Sequence, residues 1–156
     1  MANSQAVEAG NYVLVDYTGI FEDGRVFDTT VKEEAIKAGI YKEEKKYMPL
    51  FFRVDAKQVI KGLDKGVLEM EAGDEKTFII PPGEAYGEYK AYLVQSIPLG
   101  KLGLQSPPDV GTKITTPRGS EVKVLASTGA HATLDFNHEL AGKTLIMKVK
   151  LVSIIR

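Results

Sequence analysis

The side chains in this sequence that could do chemistry are of kinds that bind and polarise a substrate rather than attack it. They occur in a series of short motifs: VLVDYTG over Val13–Gly19, EDGRVFD over Glu22–Asp28, QVIKGLDKGV over Gln58–Val67, PPGEAYG over Pro81–Gly87 and TLIMKVKLVSI over Thr144–Ile154. There is no cysteine, so thiolate nucleophiles, thiolate metal sites and disulfides are all excluded. The two histidines, His131 and His138, have no third histidine or cysteine to complete a ligand set, and neither a metal nor a cofactor is expected. Taken one at a time, the motif residues have ordinary readings. Tyr17, Phe27, Val59 and Leu63 suit a core, Asp28 suits a turn or cap, and AYG suits a surface turn. The lysines and glutamates from Lys42 to Lys46 read as a solvated face.

The elements that must position these residues follow from periodicity and punctuation. Asn11–Phe21 alternates as a strand, with Val13, Val15 and Tyr17 on one side and Leu14 and Asp16 on the other. Asp23-Gly24 is a hairpin turn, and the chain returns through Arg25, Val26, Phe27 and Asp28. Thr30 followed by Glu33 predicts a capping box opening a helix over Lys32–Ala38, which Gly39 ends. Ile60, Leu63, Val67 and Met70 fall at helical spacing, predicting a helix over Val59–Met70 with one apolar stripe. Gly62 and Gly66 weaken that helix by about 1 kcal/mol each relative to alanine, and close approach to a sheet is their best justification. Gly73-Asp74 turns into a strand over Lys76–Ile80, ended by Pro81-Pro82.

The long interval before the final motif differs in composition. From Glu88 to His138 there are five Lys and Arg and four Asp and Glu, nine charges in 51 residues, against 32 in the other 105. Pro98, Pro107, Pro108 and Pro117 also lie there. Such a shift fits a separate module with an apolar working face; a small β-domain with short polar loops is the plainer alternative. Its pattern is all-β: Leu93–Ile97, Lys113–Thr116, an alternation through Val122, Val124 and Ala126, and Ala132–Phe136. Thr116-Pro117-Arg118-Gly119 suits a type I turn. Asn137 is placed to cap a single helical turn through Glu139, Leu140 and Ala141, stopped by Gly142.

The bulk numbers bound the function class. The 156 residues have room for one ordinary domain, or for two small ones on one covalent path. A net charge of −1 gives no basic footprint for nucleic acid and no polybasic patch for a membrane surface. No apolar run approaches the ~20 residues of a transmembrane helix. The first ten residues hold no lysine or arginine and no continuous apolar core, so no signal peptide is expected. The default reading is a soluble cytoplasmic monomer.

In this order, the motifs resemble those of the FKBP-type peptidyl-prolyl cis/trans isomerases, over nearly the whole chain. The interval falls where their flap loop lies, as in the SlyD-like, insert-in-flap members, and NHELAGK resembles the segment at which that insert rejoins the isomerase domain. An archaeal short-type member is the specific form suggested. The resemblance implies an α+β fold: an FKBP-like antiparallel sheet wrapped on a short helix, with a small all-β domain inserted in the flap loop. The isomerase domain would comprise residues 1–88 and 138–156, and the insert 89–137.

The resemblance also implies roles. Tyr17, Asp28, Ile60 and Tyr86 would be catalytic, and Phe27, Leu50, Val59, Leu63, Leu140 and Met147 would bind substrate. The Ile60 amide would donate to a substrate carbonyl, Tyr86 would offer its hydroxyl to the carbonyl before the proline, and Asp28 would polarise the cleft beside Tyr17. Val94, Ile97, Leu99, Leu102, Leu104, Val122 and Val124 would form a chaperone face on the insert. Leu63 stands where many relatives have a tryptophan, and Leu50 and Met147 replace aromatic walls, so macrolide inhibitors such as tacrolimus would bind weakly. The partners would be unfolded or partly folded polypeptides containing X–Pro bonds. The competing functions are a chaperone or binding module with weak or no isomerase activity, and a metallochaperone, which the lack of a histidine-rich tail disfavours.

Overall fold

Alternating apolar residues make β1 (Tyr12–Phe21) the central strand of a sheet, with Val13 and Val15 fully buried. The computed structural model describes residues 6–155. Along its whole length β1 pairs antiparallel with β9 (Leu145–Ile155), from Tyr12 opposite Ile155 to Phe21 opposite Leu145. β4 (Glu75–Ile80) occupies the far edge of β9. The other edge of β1 is shared end to end by β2 (Val26–Thr29) and β3 (Leu50–Arg53). The result is an antiparallel, sheet-rich α+β fold with few helices. β3 has no hairpin signal in the sequence, and four residues beside Pro49 are too few to show a period.

The first helix has the expected bounds and the expected stop at Gly39 but not the expected cap, and the second is shorter than expected. α1 (Lys32–Ala38) starts after Val31, and no side chain caps it. The Thr30 hydroxyl instead donates to Asp16 Oδ1 at 2.8 Å and accepts the Tyr17 N–H at 2.9 Å. Sheet pairing thus claims the group that the capping box would have used. α2 covers only Lys61–Gly66, because Glu69 takes a left-handed conformation at φ 68°. Leu63, Val67 and Met70 are buried all the same, packed with Val13, Val15, Phe52, Ile80, Leu145 and Leu151 in one core.

The glycines of α2 bear out the close approach. A Cβ on Gly62 would lie 2.5 Å from Ile80 Cγ2, and one on Gly66 would lie 2.7 Å from the Phe78 ring. Gly62→Ala is therefore expected to lower stability, because overpacking costs about 1–3 kcal/mol and exceeds the roughly 1 kcal/mol gain in helix propensity. Chemical denaturation measures this, and a raised midpoint would refute the close packing.

The chain divides into two units, one running through Gly87 and resuming at Gly142, the other spanning Glu88–Ala141. The second is a four-stranded antiparallel sheet of β5 (Val94–Pro98), β6 (Lys113–Thr115), β7 (Glu121–Ser127) and β8 (His131–Asp135), in the order β5-β8-β7-β6. Leu99, Leu102, Val122, Val124, Ala132 and Leu134 form its core. The Thr116–Gly119 turn closes as expected, the Gly119 N–H donating to the Thr116 carbonyl at 2.8 Å. Asn137 does not cap a helix. Its side chain accepts the Lys90 N–H at 2.9 Å and donates to the Lys90 carbonyl at 3.0 Å, fastening together the two ends of this unit. Residues 139–142 form turns only. No helix among the described residues is long and apolar enough to cross a membrane.

Candidate active site

A cavity of about 210 Å³ opens in the first unit where β1, β2, β3, α2 and β9 converge. β2 supplies Phe27 and Asp28, β1 supplies Tyr17, and β3 supplies Leu50. Val59, Ile60 and Leu63 come from the approach to α2 and its first turn. Met147 comes from β9, and Tyr86 from the turn after Pro81-Pro82. Leu140 belongs to the second unit and does not line this cavity. Gln58 and Leu145 line it without having been expected there.

The polar edge of the cavity is one tight cluster. Asp28 Oδ2 accepts the Tyr17 hydroxyl at 2.7 Å. Asp28 Oδ1 accepts the Thr29 N–H at 2.9 Å and the Lys45 ammonium at 2.6 Å. Lys45 also donates to the Thr29 carbonyl at 3.1 Å. Lys45 comes from the stretch read as a solvated face; a run of charges in a sequence does not reveal which one folds back. Burial, then the bond to Asp28 and its negative charge, hold the Tyr17 phenol well above its ordinary range. Burial and the Asp28 charge raise Tyr86 as well. Both phenols therefore keep their protons, and remain potential donors, at and above neutral pH.

The apolar side is rigidly held. The Phe27 ring lies directly over Gly19, where a Cβ would come within 2.4 Å of it, and it stacks on Phe21 with centroids 4.8 Å apart. A residue not singled out from the sequence, Asp64, supports the opposite wall. Its carboxylate is buried and accepts the N–H groups of Asp55 at 2.7 Å and Lys57 at 3.3 Å. Both of those residues have positive φ, 64° and 59°, a conformation that is costly without such support. The loop so fixed delivers Gln58, Val59 and Ile60 to the cavity. Among the described residues the Ile60 N–H has no acceptor, while its carbonyl accepts the N–H groups of Leu63 and Asp64.

The chain as a whole matches known proteins. Residues 3–152 fit the family described as FKBP-type peptidyl-prolyl cis-trans isomerase. The chain belongs to that family. A short-type peptidyl-prolyl cis-trans isomerase of Methanocaldococcus jannaschii is 40% identical over 147 residues, covering 93% of this chain and 92% of that one. The FKBP-type peptidyl-prolyl cis-trans isomerase SlyD of Helicobacter pylori is 32% identical over 107 residues, 67% of this chain and 58% of that one. An FKBP-type 16 kDa peptidyl-prolyl cis-trans isomerase of Escherichia coli is 26% identical over 155 residues, 97% of this chain and 95% of its own. This chain is accordingly a peptidyl-prolyl cis-trans isomerase, related to archaeal short-type and SlyD proteins.

The residues expected to form a chaperone face on this isomerase divide by burial. Leu99, Leu102, Val122 and Val124 are buried in the second unit's own core and act there as packing residues. Ile97 and Leu104 pack partly against that core, and Val94 is half-buried on β5. Alternation along a short strand marks which residues share a face, but not which face is covered, so core and binding surface look alike in the sequence.

Proposed function

We propose that the cavity of the first unit is where X–Pro bonds isomerise, with Tyr17, Asp28, Ile60 and Tyr86 acting on the amide and Phe27, Leu50, Val59, Leu63 and Met147 holding the proline ring. The observation carrying this is their joint lining of one apolar cleft with a single polar edge. Rotation of a planar amide passes a barrier of ~18–20 kcal/mol. An acceleration of about 10⁵ requires roughly 7 kcal/mol of preference for the twisted state. No covalent step is needed, because a dry cleft that fits the twisted amide better than the planar one suffices. The unengaged Ile60 N–H would donate to a substrate carbonyl, and Tyr86 to the carbonyl preceding proline.

Asp28 acts in this scheme as a fixed negative dipole beside the twisting bond. Its oxygens already accept three donors, which suits polarisation and not proton removal. Tyr86→Phe is expected to slow turnover only several-fold, since one hydrogen bond is worth about 0.5–1.5 kcal/mol. Protease-coupled or NMR exchange measurement of kcat/KM on short X–Pro peptides tests this, and a complete loss of activity would contradict it.

The substrates are proposed to be unfolded or partly folded chains, with the second unit inserted at the flap and acting as a chaperone that holds them. Its support is compositional and topological: a module of low charge density whose sheet ends in β5 and β6 as edge strands, available for strand addition. Half-buried Val94, Ile97 and Leu104, with exposed Tyr92 and Leu125, would supply the apolar contacts. Tacrolimus-like macrolides would bind weakly, because a cavity of about 210 Å³ is below the roughly 300–1,000 Å³ of drug-sized sites. Aggregation suppression, measured beside peptide isomerisation, tests this division of labour.

A further inference from the structure

A second cavity of about 210 Å³ lies beside the first in the same unit. It shares Phe27 and Asp28 with the cleft, and Ile40, Lys42, Lys45 and Tyr47 close its other sides. We propose that it is a subsite for a carboxylate side chain of the polypeptide substrate, taken up by Lys42 and the Tyr47 hydroxyl, so that the enzyme favours prolines with a glutamate within two positions. The proposal deepens the cleft assignment above and rests on it.

The charges around the cavity leave one cation over. Lys45 is neutralised by Asp28, bonds the Thr29 carbonyl, and lies 5.3 Å from the centre of the Tyr47 ring. Among the described residues the Lys42 ammonium enters no ion pair. Glu43 and Glu44 adjoin it in sequence but do not line the cavity. The Lys42 backbone N–H donates to the Tyr47 hydroxyl oxygen at 3.1 Å, which leaves that hydroxyl's own proton available to an acceptor. Stacking on Tyr41, with centroids 5.5 Å apart, fixes the Tyr47 ring, and the Lys32 ammonium lies 5.7 Å from the Tyr41 ring, adding positive charge behind it. Ile40 offers an apolar surface to the methylenes of a glutamate.

The placement suits a substrate already bound. Phe27 and Asp28 line both cavities, so these two side chains are the wall that the cavities share. An extended chain advances about 3.3–3.6 Å per residue. A residue one or two positions from a proline seated in the cleft can therefore reach over that wall.

The test uses the full chain and X–Pro peptides carrying Glu, Gln or Lys at each of the two positions on either side of proline. Wild type is compared with Lys42→Met and Lys42→Glu at low and high salt. At one position Glu should exceed Gln in kcat/KM by about threefold, the size of an exposed ion pair, through a lower KM and with the advantage fading as salt rises. Lys42→Met should abolish the difference while leaving the Gln peptide unchanged, and Lys42→Glu should transfer the advantage to the Lys peptide. Charge-blind turnover by wild type, or a glutamate preference that survives Lys42→Glu, overturns the subsite alone. Failure of every form to turn over the Gln peptide overturns the cleft reading and the subsite with it.

Discussion

Asp28→Ala is expected to lower kcat/KM on short X–Pro peptides by at least about tenfold, about 1.4 kcal/mol of lost transition-state stabilisation. The substitution removes the negative charge from the cleft's polar edge, leaving the Tyr17 hydroxyl without its acceptor and the Lys45 ammonium with only the Thr29 carbonyl. The Tyr17 hydroxyl is the more serious loss, because it is part-buried and its burial makes an unmade hydrogen bond costly. The ion pair itself is partly exposed and contributes little to stability, on the order of 0–1 kcal/mol. The denaturation midpoint of the alanine variant should therefore fall as well, chiefly through the stranded Tyr17 hydroxyl. Asp28→Asn separates charge from shape, since an amide oxygen can still accept the Tyr17 hydroxyl. If the fixed charge is what matters, the asparagine variant should resemble alanine in kcat/KM. Unchanged kinetics in both variants would remove Asp28 from the site.

Much of the first unit was legible because its signals are local and mutually consistent. Val13 and Val15 alternate, Asp23-Gly24 turns, and Leu63, Val67 and Met70 make a stripe that is buried even though the helix beneath it stops at Gly66. Gly62 and Gly66 suggested a close approach, and Ile80 and Phe78 are what they approach. What could not be read depends on contacts between distant residues. Thr30 has the right spacing for a cap, but its hydroxyl is claimed by β1, and Asn137 is likewise claimed by Lys90. Lys45 sits in a run of charges that gives no hint of its reach to Asp28, 17 residues away. Asp64 looks like one more charge on a helix; only the fold reveals it buried beneath two residues of positive φ. In the cleft, nearly all the aliphatic and aromatic residues expected from the motifs do meet, although Leu50 arrives on β3, a strand that the sequence does not signal. Leu140 lies within the predicted helical turn that did not form, and it belongs to the other unit.

Exchanging Glu88–Ala141 for a short loop is expected to leave peptide isomerisation within a few-fold and to remove most catalysis of proline-limited protein refolding, together with all suppression of aggregation. The geometry permits the exchange, because the Gly142 N–H donates to the Gly87 carbonyl at 2.8 Å and the two ends to be rejoined are already hydrogen-bonded neighbours. The first unit keeps its whole core in the shortened chain, as the residues of that core lie between Val7 and Ala85 and between Leu145 and Ile154, outside the excised segment. Retained turnover of a short peptide is itself the check that the shortened form is folded. A peptide of a few residues is too short to engage a separate binding surface, so it should be nearly indifferent to the loss. A refolding protein differs, because holding it on the second unit would raise the local concentration of its prolines at the cleft to about the millimolar range typical of short tethers. That gain disappears with the module, whatever the quality of the cleft. The deciding experiment is refolding of a disulfide-free, proline-limited protein by the full-length and shortened forms, matched for peptide activity. Equal refolding rates would mean that the second unit does not present clients to the cleft, and the chaperone reading would have to be abandoned.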